Sequence, residues 1–348
     1  TVWGIARGHV EPTTATFYFL KTAEFFIIFL LTVSCIKDEE TIKRFTLFFL
    51  LTGLFVSIYG ILQIGHVERL SAPFEGVRAE PNTLGGYLTL IMSLSLAVFI
   101  YAPRDYLYYR VLSGVLLALC FITLLFTLSR ASFIGFMFML FAMGLMSRKY
   151  GLLFVAALLL VMAPLVMPPE VIDRVNYTFT GPETNEVTIF GFITLHPDSS
   201  TMERIHVWKK VAFSFIRSPF IGYGLTYQQI LDSQFARLLV EVGAIGTALF
   251  IWILIRIFKC AWYVLHHATS WMHRALALGY LAAFIGVIVH SLGAITFYIV
   301  RIMEPFWFFT ALVVYLYLYT KNREESGELA AAVSPAKAPP RRKHRVSS

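Results

Sequence analysis

Apolar residues run along this chain in blocks of helix length, separated by short polar connections. The blocks fall at 17–36, 45–65, 84–101, 111–128, 131–146, 150–167, 238–257, 275–295 and 305–319. A bilayer core is crossed by about 20 residues of α-helix, so each block predicts one crossing and the chain predicts about nine. The fifth and ninth blocks are the shortest, so their ends could be off by several residues or one could be re-entrant. Between the sixth and seventh, 168–235 is too polar to span and too long for a tight connection. It predicts a sizeable structured loop.

Within that loop, Ser200-Thr-Met-Glu203 reads as a capping box, in which the first hydroxyl and the fourth carboxylate satisfy helix-start N–H groups. Ile205, Trp208, Ala212, Phe215 and Ile216 follow at helical spacing until Pro219. An amphipathic helix is expected, its apolar stripe covering the transmembrane bundle or lying on the membrane surface. Gly222-Tyr-Gly224 then supplies a turn too short and generic for a phosphate loop.

Composition turns this pattern into a class. Hydrophobic residues make up 57% of the chain and charged residues 14%, with a mean hydropathy of +0.69. A water-soluble domain of this size would expose large apolar patches at such values. The expected fold is therefore an all-α integral membrane protein of one polytopic domain over 1–320, with 168–235 as its large loop. The tail, 321–348, is rich in Ala, Pro and basic residues and is expected to be disordered. Cys35, Cys120 and Cys260 lie in or beside apolar blocks without CxxC spacing, which suggests neither a disulfide framework nor a metal site. The chain begins at Thr1 and shows no signal-peptide pattern, so truncation at the N-terminus is expected.

Lys and Arg orient the bundle. One side carries Lys37, Lys43, Arg44, Arg104, Arg110, Arg148, Lys149, Arg256, Lys259, Arg274 and the tail, with at least two basic residues in every connection. That side is assigned to the cytoplasm, and the long loop then faces outward. The outward basic residues depart from this bias and are nearly all Arg: Arg69, Arg78, Arg130, Arg204, Arg237 and Arg301. Arg presents a planar fork of donors that stays charged and matches phosphate oxygens. Any single one is equally explained by snorkelling to headgroups or by pairing with Glu75, Glu80, Glu203 or Glu304. Several converging on one cavity are harder to explain that way.

The order of motifs has a precedent. Arg69-Leu-Ser with Phe74 and Pro81-Asn82 comes first, then Thr127-Leu-Ser-Arg130-Ala-Ser132. Arg204 with Trp208, Pro219, Gly222 and Gly224 follows, and then Glu241-x-Gly243-x-x-Gly246. This series resembles the O-antigen ligase and polysaccharide polymerase superfamily over about half the chain. The resemblance implies a metal-independent glycosyltransferase without cofactor in the bacterial cytoplasmic membrane, active on its outer face. Its donor would be an undecaprenyl-pyrophosphate-linked glycan. Its acceptor would be the lipid A core in a ligase, or another lipid-linked saccharide in a polymerase. Membrane lipids are expected partners and nucleic acid is not.

Breaking a sugar–pyrophosphate bond develops negative charge on the diphosphate, which fixed guanidinium groups stabilise. Arg130 and Arg204 are the first candidates, with Arg69, Arg78, Arg237 and Arg301 as further substrate contacts. In ligases of this superfamily a His-Asn pair stands about eleven residues before the first glycine of the Glu-x-Gly motif. Here Asp232-Ser233 occupies that place, which makes Asp232 the candidate base and favours a polymerase. Asp232 is equally suited to capping the following helix. His206 lies two residues from Arg204 and is a substitute imidazole, while Glu241 is either a substrate contact or the i+4 partner of Arg237. The alternative class is a flippase for an anionic lipid-linked glycan, which would not need the structured loop. Its usual paired halves are not seen. Cysteine-accessibility labelling at Ser199→Cys and Ser347→Cys tests the topology. The two sites should label from opposite sides, and labelling of both from one side overturns the assignment.

Overall fold

Every apolar block forms a helix, and at several of them the residue at the edge shows where the helix starts. Asp38 accepts from the Thr41 N–H at 2.7 Å and the Thr41 hydroxyl at 2.6 Å, closing the first turn of the second block. Those bonds, the hydroxyl first, hold its carboxyl below the ordinary value. Pro12 and Pro81 open two other helices at positions where no N–H is needed.

The computed structural model describes residues 1–73, 80–166, 187–189, 193–195, 199–227 and 233–327, with 162–166, 187–189, 193–195, 199–201 and 203–205 described by backbone alone. A short helix α1 (Val2–Ala6) precedes α2 (Pro12–Cys35), α3 (Glu39–Leu62), α4 (Pro81–Tyr101), α5 (Leu107–Phe126), α6 (Arg130–Ser147) and α7 (Tyr150–Val166). The long loop holds an antiparallel pair, β1 (Val187–Ile189) and β2 (Ile193–Leu195), with Val187 opposite Leu195, and then α8 (Ser199–Arg217). After it come α9 (Gln234–His267), α10 (Trp271–His290) and α11 (Val300–Glu325). The protein is an all-α integral membrane protein apart from that small hairpin. Among the described residues eight helices are long and apolar enough to cross a bilayer, and Tyr150–Val161 of α7 is a shorter apolar helix. Both short blocks extend beyond the ends read from sequence. The fifth block forms an 18-residue helix, and the ninth extends to 26 residues because polar residues at both ends continue the helix.

Helices α4 and α10 form the centre, with Leu84, Leu88, Ile91, Tyr280 and Leu281 fully enclosed. Lipid tails are as apolar as leucine, so helices in a membrane associate through close packing and interhelical hydrogen bonds. Both are present here. The Ser93 hydroxyl donates to the Gly279 carbonyl at 2.6 Å, and a Cβ at Gly85 would fall 2.1 Å from the Ser132 hydroxyl oxygen. The peripheral helices turn Phe17, Leu30, Phe48, Phe55 and Val111 outward, as expected where the solvent is hydrocarbon.

The amphipathic helix forms as read and stops before Pro219, but it docks by a different face. Val207 and Val211 pack on Ala236 and Val240 of α9, with Tyr223 and Tyr227 beside them. Trp208 and Ile216, from the expected stripe, stay exposed. The helix has apolar residues on two sides, and Val207 and Val211 lie one turn apart on the side that meets α9.

The loop returns to the bundle through a break in α9. Gly243 has φ 69° and ψ −172° inside that helix, a conformation essentially restricted to glycine. Here residues 219–224 run alongside 240–245: Tyr223 N donates to Val240 O, Gly224 N to Glu241 O and Ala244 N to Pro219 O, at 2.8–2.9 Å. A Cβ on Gly243 would sit 2.4 Å from the Phe220 carbonyl oxygen. Gly243→Ala should therefore lower stability by about 1–3 kcal/mol, read as a lower unfolding temperature in detergent. Gly151→Ala, where a Cβ meets nothing within 4 Å, should leave it unchanged or slightly raised.

Candidate functional site

The loop-side ends of α4, α6, α9, α10 and α11 come together around one polar network. Its first layer is the turn from α5 into α6. Leu128 takes a left-handed conformation there (φ 51°), and Ser129 caps α6, its hydroxyl oxygen accepting from Ser132 N at 3.2 Å. The Ser129 hydroxyl donates to Asn82 Oδ1 at 2.6 Å, and Ser129 and Ser132 share a hydroxyl contact of 2.7 Å. Ser132 reaches His290 Nε2 at 3.3 Å, and His290 Nδ1 meets the Thr296 hydroxyl at 2.8 Å. Arg69 donates from Nε and Nη2 to the Thr127 and Leu128 carbonyls, both at 3.3 Å. The turn is thus held from three sides. Arg130, the first residue of α6, is half-buried on it, where the helix dipole adds positive potential.

The second layer is built on Glu241. Its Oε1 accepts from Arg237 Nε at 2.8 Å and from the Thr226 N–H at 2.7 Å, and its Oε2 accepts from the Tyr298 hydroxyl at 2.5 Å. Burial first, and then the carboxylate beside it, push the Tyr298 phenol well above its ordinary value, so it remains a donor. The Arg237 guanidinium lies 4.2 Å from the Tyr298 ring centroid and 5.3 Å from that of Tyr18. Among the described residues, Arg237 Nη2 and the Ser233 hydroxyl are buried without a hydrogen-bond partner. They stand four residues apart at the start of α9.

One short segment joins the layers. His290 ends α10, the Ser291 carbonyl accepts from Gln234 N at 3.1 Å, and Phe297 N donates to Gln234 Oε1 at 3.1 Å. Thr296 and Tyr298 complete the links to His290 and Glu241. Residues 290–298 therefore tie the Arg130 turn to the Arg237–Glu241 pair.

The candidates read from sequence separate into three groups. Arg69, Arg237 and Glu241 belong to this network, and Arg130 is half-buried on its turn. His206 and Arg301 are exposed on α8 and at the start of α11. Asp232 and Arg78 lie outside the described residues, and Arg204 lies on α8 where the backbone alone is described. The i,i+4 pairing of Arg237 with Glu241 is present and almost fully buried, with side chains 1% and 0% exposed. His290, Gln234, Thr296 and Tyr298 were not singled out in the sequence. A signal for His290 existed, since an ionisable group inside an apolar block is costly and usually functional or partnered. Among the described residues no group of three or more His, Cys, Asp or Glu side chains could hold a metal ion.

Breaking a buried ion pair by removing one partner costs about 3–5 kcal/mol, because the other charge is left uncompensated. Glu241→Gln should destabilise the protein on that scale, measured by thermal unfolding in detergent. The double variant Arg237→Met/Glu241→Leu should recover a large part of the loss.

The family comparison falls on the same part of the chain. Residues 115–251 match the family model described as O-antigen ligase, a little under two fifths of the chain. A search of curated proteins finds no match. The matched span runs from within α5 through the Arg130 turn, the long loop and α8 to the broken start of α9. Over residues 115–251 this multi-pass membrane chain is thus similar to the O-antigen ligase family, and the match supports the resemblance drawn from the motifs.

Proposed function

We propose that this protein transfers a glycan from undecaprenyl pyrophosphate to a saccharide acceptor on the outer face of the cytoplasmic membrane, as a polymerase in preference to a ligase. The observation that carries the reading is the Arg130 turn. A guanidinium stands at the positive end of a helix, on a turn fixed by Arg69, Asn82, Ser129, Ser132 and His290, inside the span that matches the family. Donors fixed before reaction stabilise developing charge without reorganising.

In the proposed step the acceptor hydroxyl oxygen attacks the anomeric carbon. The carbon–oxygen bond to the diphosphate breaks, and the bonding pair leaves on the diphosphate. Arg130 and Arg204 take the charge that develops there. Asp232 accepts the hydroxyl proton, in the place where the ligases have histidine. It directly precedes Ser233 and the two buried donors without partners, Ser233 Oγ and Arg237 Nη2, which suit a hydroxylated or anionic ligand. Arg78, His206 and Arg301 complete the proposed contacts along the donor.

The test uses purified protein in vesicles with a lipid-pyrophosphate glycan. Wild type should form a longer lipid-linked glycan, whereas movement across the bilayer without transfer would make it a flippase and sink the proposal. Arg130→Lys and Arg204→Lys should each reduce turnover roughly a hundredfold at normal protein levels, the scale of losing one preorganised donor. The N-cap of α9 is Ser233 and not Asp232; Asp232→Asn is nearly isosteric but a poor base, so a large fall in turnover with unchanged folding supports catalysis. Full activity there would remove Asp232 from the mechanism.

A further inference from the structure

The side of α8 turned away from α9 carries apolar side chains that none of the other described residues covers. Trp208, Phe213 and Ile216, with Phe220 and Ile221 just beyond the helix, are between 46% and 73% exposed. Lys209, Lys210 and Arg217 are exposed on the same helix. Alone, this face would not identify what covers it.

Its continuity with a membrane span does. The Ile245 N–H donates to the Phe220 carbonyl at 3.3 Å, and Ala244 N donates to Pro219 O at 2.8 Å. These bonds fasten the end of α8 to α9 at the point where the outward apolar row of that span begins. Ile245, Leu249 and Trp252 along that row are all more than half exposed, and hydrocarbon is their solvent in an integral membrane protein. Phe220 and Ile221 extend the row, and Ile216, Phe213 and Trp208 carry it along α8. An apolar band that leaves a span without interruption and is accompanied by basic residues has the composition of a helix lying in a bilayer interface.

We propose that α8 is seated in the bilayer leaflet at the loop end of the bundle, with Phe213, Ile216, Phe220 and Ile221 at the acyl boundary and Lys209, Lys210 and Arg217 on the phosphates of anionic phospholipids. The side chains divide the work: Val207 and Val211 fix α8 to α9, and the opposite apolar side fixes it to lipid. The basic residues then make the seat sensitive to leaflet charge, since cations within a Debye length of an anionic surface are attracted to it.

Depth-dependent fluorescence quenching tests this without measuring glycan transfer, so the outcome is independent of the proposed activity. Bimane is attached to single cysteines at Ile216→Cys, Phe220→Cys, Lys210→Cys and Ile245→Cys in a Cys35→Ser/Cys260→Ser background, with Cys120 buried. The protein is placed in phosphatidylcholine vesicles with or without phosphatidylglycerol, carrying doxyl-labelled lipid. Labels at 216 and 220 should be quenched by doxyl lipid nearly as strongly as the label at 245, and several-fold more than the label at 210. Phosphatidylglycerol should increase the quenching at 216, and Lys209→Gln/Lys210→Gln/Arg217→Gln should abolish that increase. Labels at 216 and 220 quenched by aqueous iodide but not by doxyl lipid would overturn the lipid seat, as would labels shielded from both. A response at 216 indifferent to phosphatidylglycerol would overturn the headgroup contact.

Discussion

The Glu241 carboxylate is removed from solvent and accepts three hydrogen bonds from three separate parts of the chain: Arg237 on its own helix, Thr226 at the end of the long loop and Tyr298 before α11. A carboxylate in such a place is stabilised by each of its donors, so the three parts are drawn to the same group. Thr226 adopts φ 74°, an unfavourable backbone for a β-branched residue, and its N–H is the one that meets Oε1. The helix breaks two residues later, at Gly243. Residues 219–224 must approach closely enough to pair with 240–245, and glycines at 222 and 243 leave room for backbone on backbone.

Much of this architecture was legible in the sequence because the bilayer imposes a simple rule. Length and hydropathy placed all nine apolar helices, and Pro219 marked the end of α8, whose start lies one residue ahead of the Ser200 read as its cap. The docked face of α8 was less legible. Val207 and Val211 compete with Trp208 and Ile216 as apolar stripes, and periodicity cannot choose between two apolar sides of one helix. The choice is made by Ala236 and Val240 on α9, whose small side chains admit the valines. Of the candidate site, the Arg130 turn and the Arg237–Glu241 pair were readable from local spacing. The network through His290, Thr296 and Gln234 was not, since its members approach only after α6, α9 and α10 have packed.

The packing of the bundle and the placement of polar groups at its loop end are one problem. Gly85 lets α4 lie against Ser132, and Ser132 can then reach both Ser129 and His290. A larger residue at 85 would separate the helices and leave buried hydroxyl and imidazole groups without partners. In hydrocarbon such groups are costly because no water replaces the lost bond. The polar network therefore fixes the register of the helices as much as the helices position the network.

Arg69 and Arg130 illustrate how one residue type serves two ends. Arg69 gives two donors to carbonyls at the end of α5, which a helix terminus leaves without intrahelical partners. Arg130 stands at the start of the next helix, where the backbone presents N–H groups and positive potential. The first arginine thus satisfies the negative end of one dipole, and the second adds charge to the positive end of the next. A guanidinium placed at a positive helix end is repelled by that field unless an anion is nearby, whereas the same guanidinium at the carbonyl end would be stabilised without one. Arg130 therefore adds to the positive potential at the start of α6 instead of cancelling it. The start of α6 is thus the more electropositive end of this turn, and the reading proposed above sets the diphosphate there.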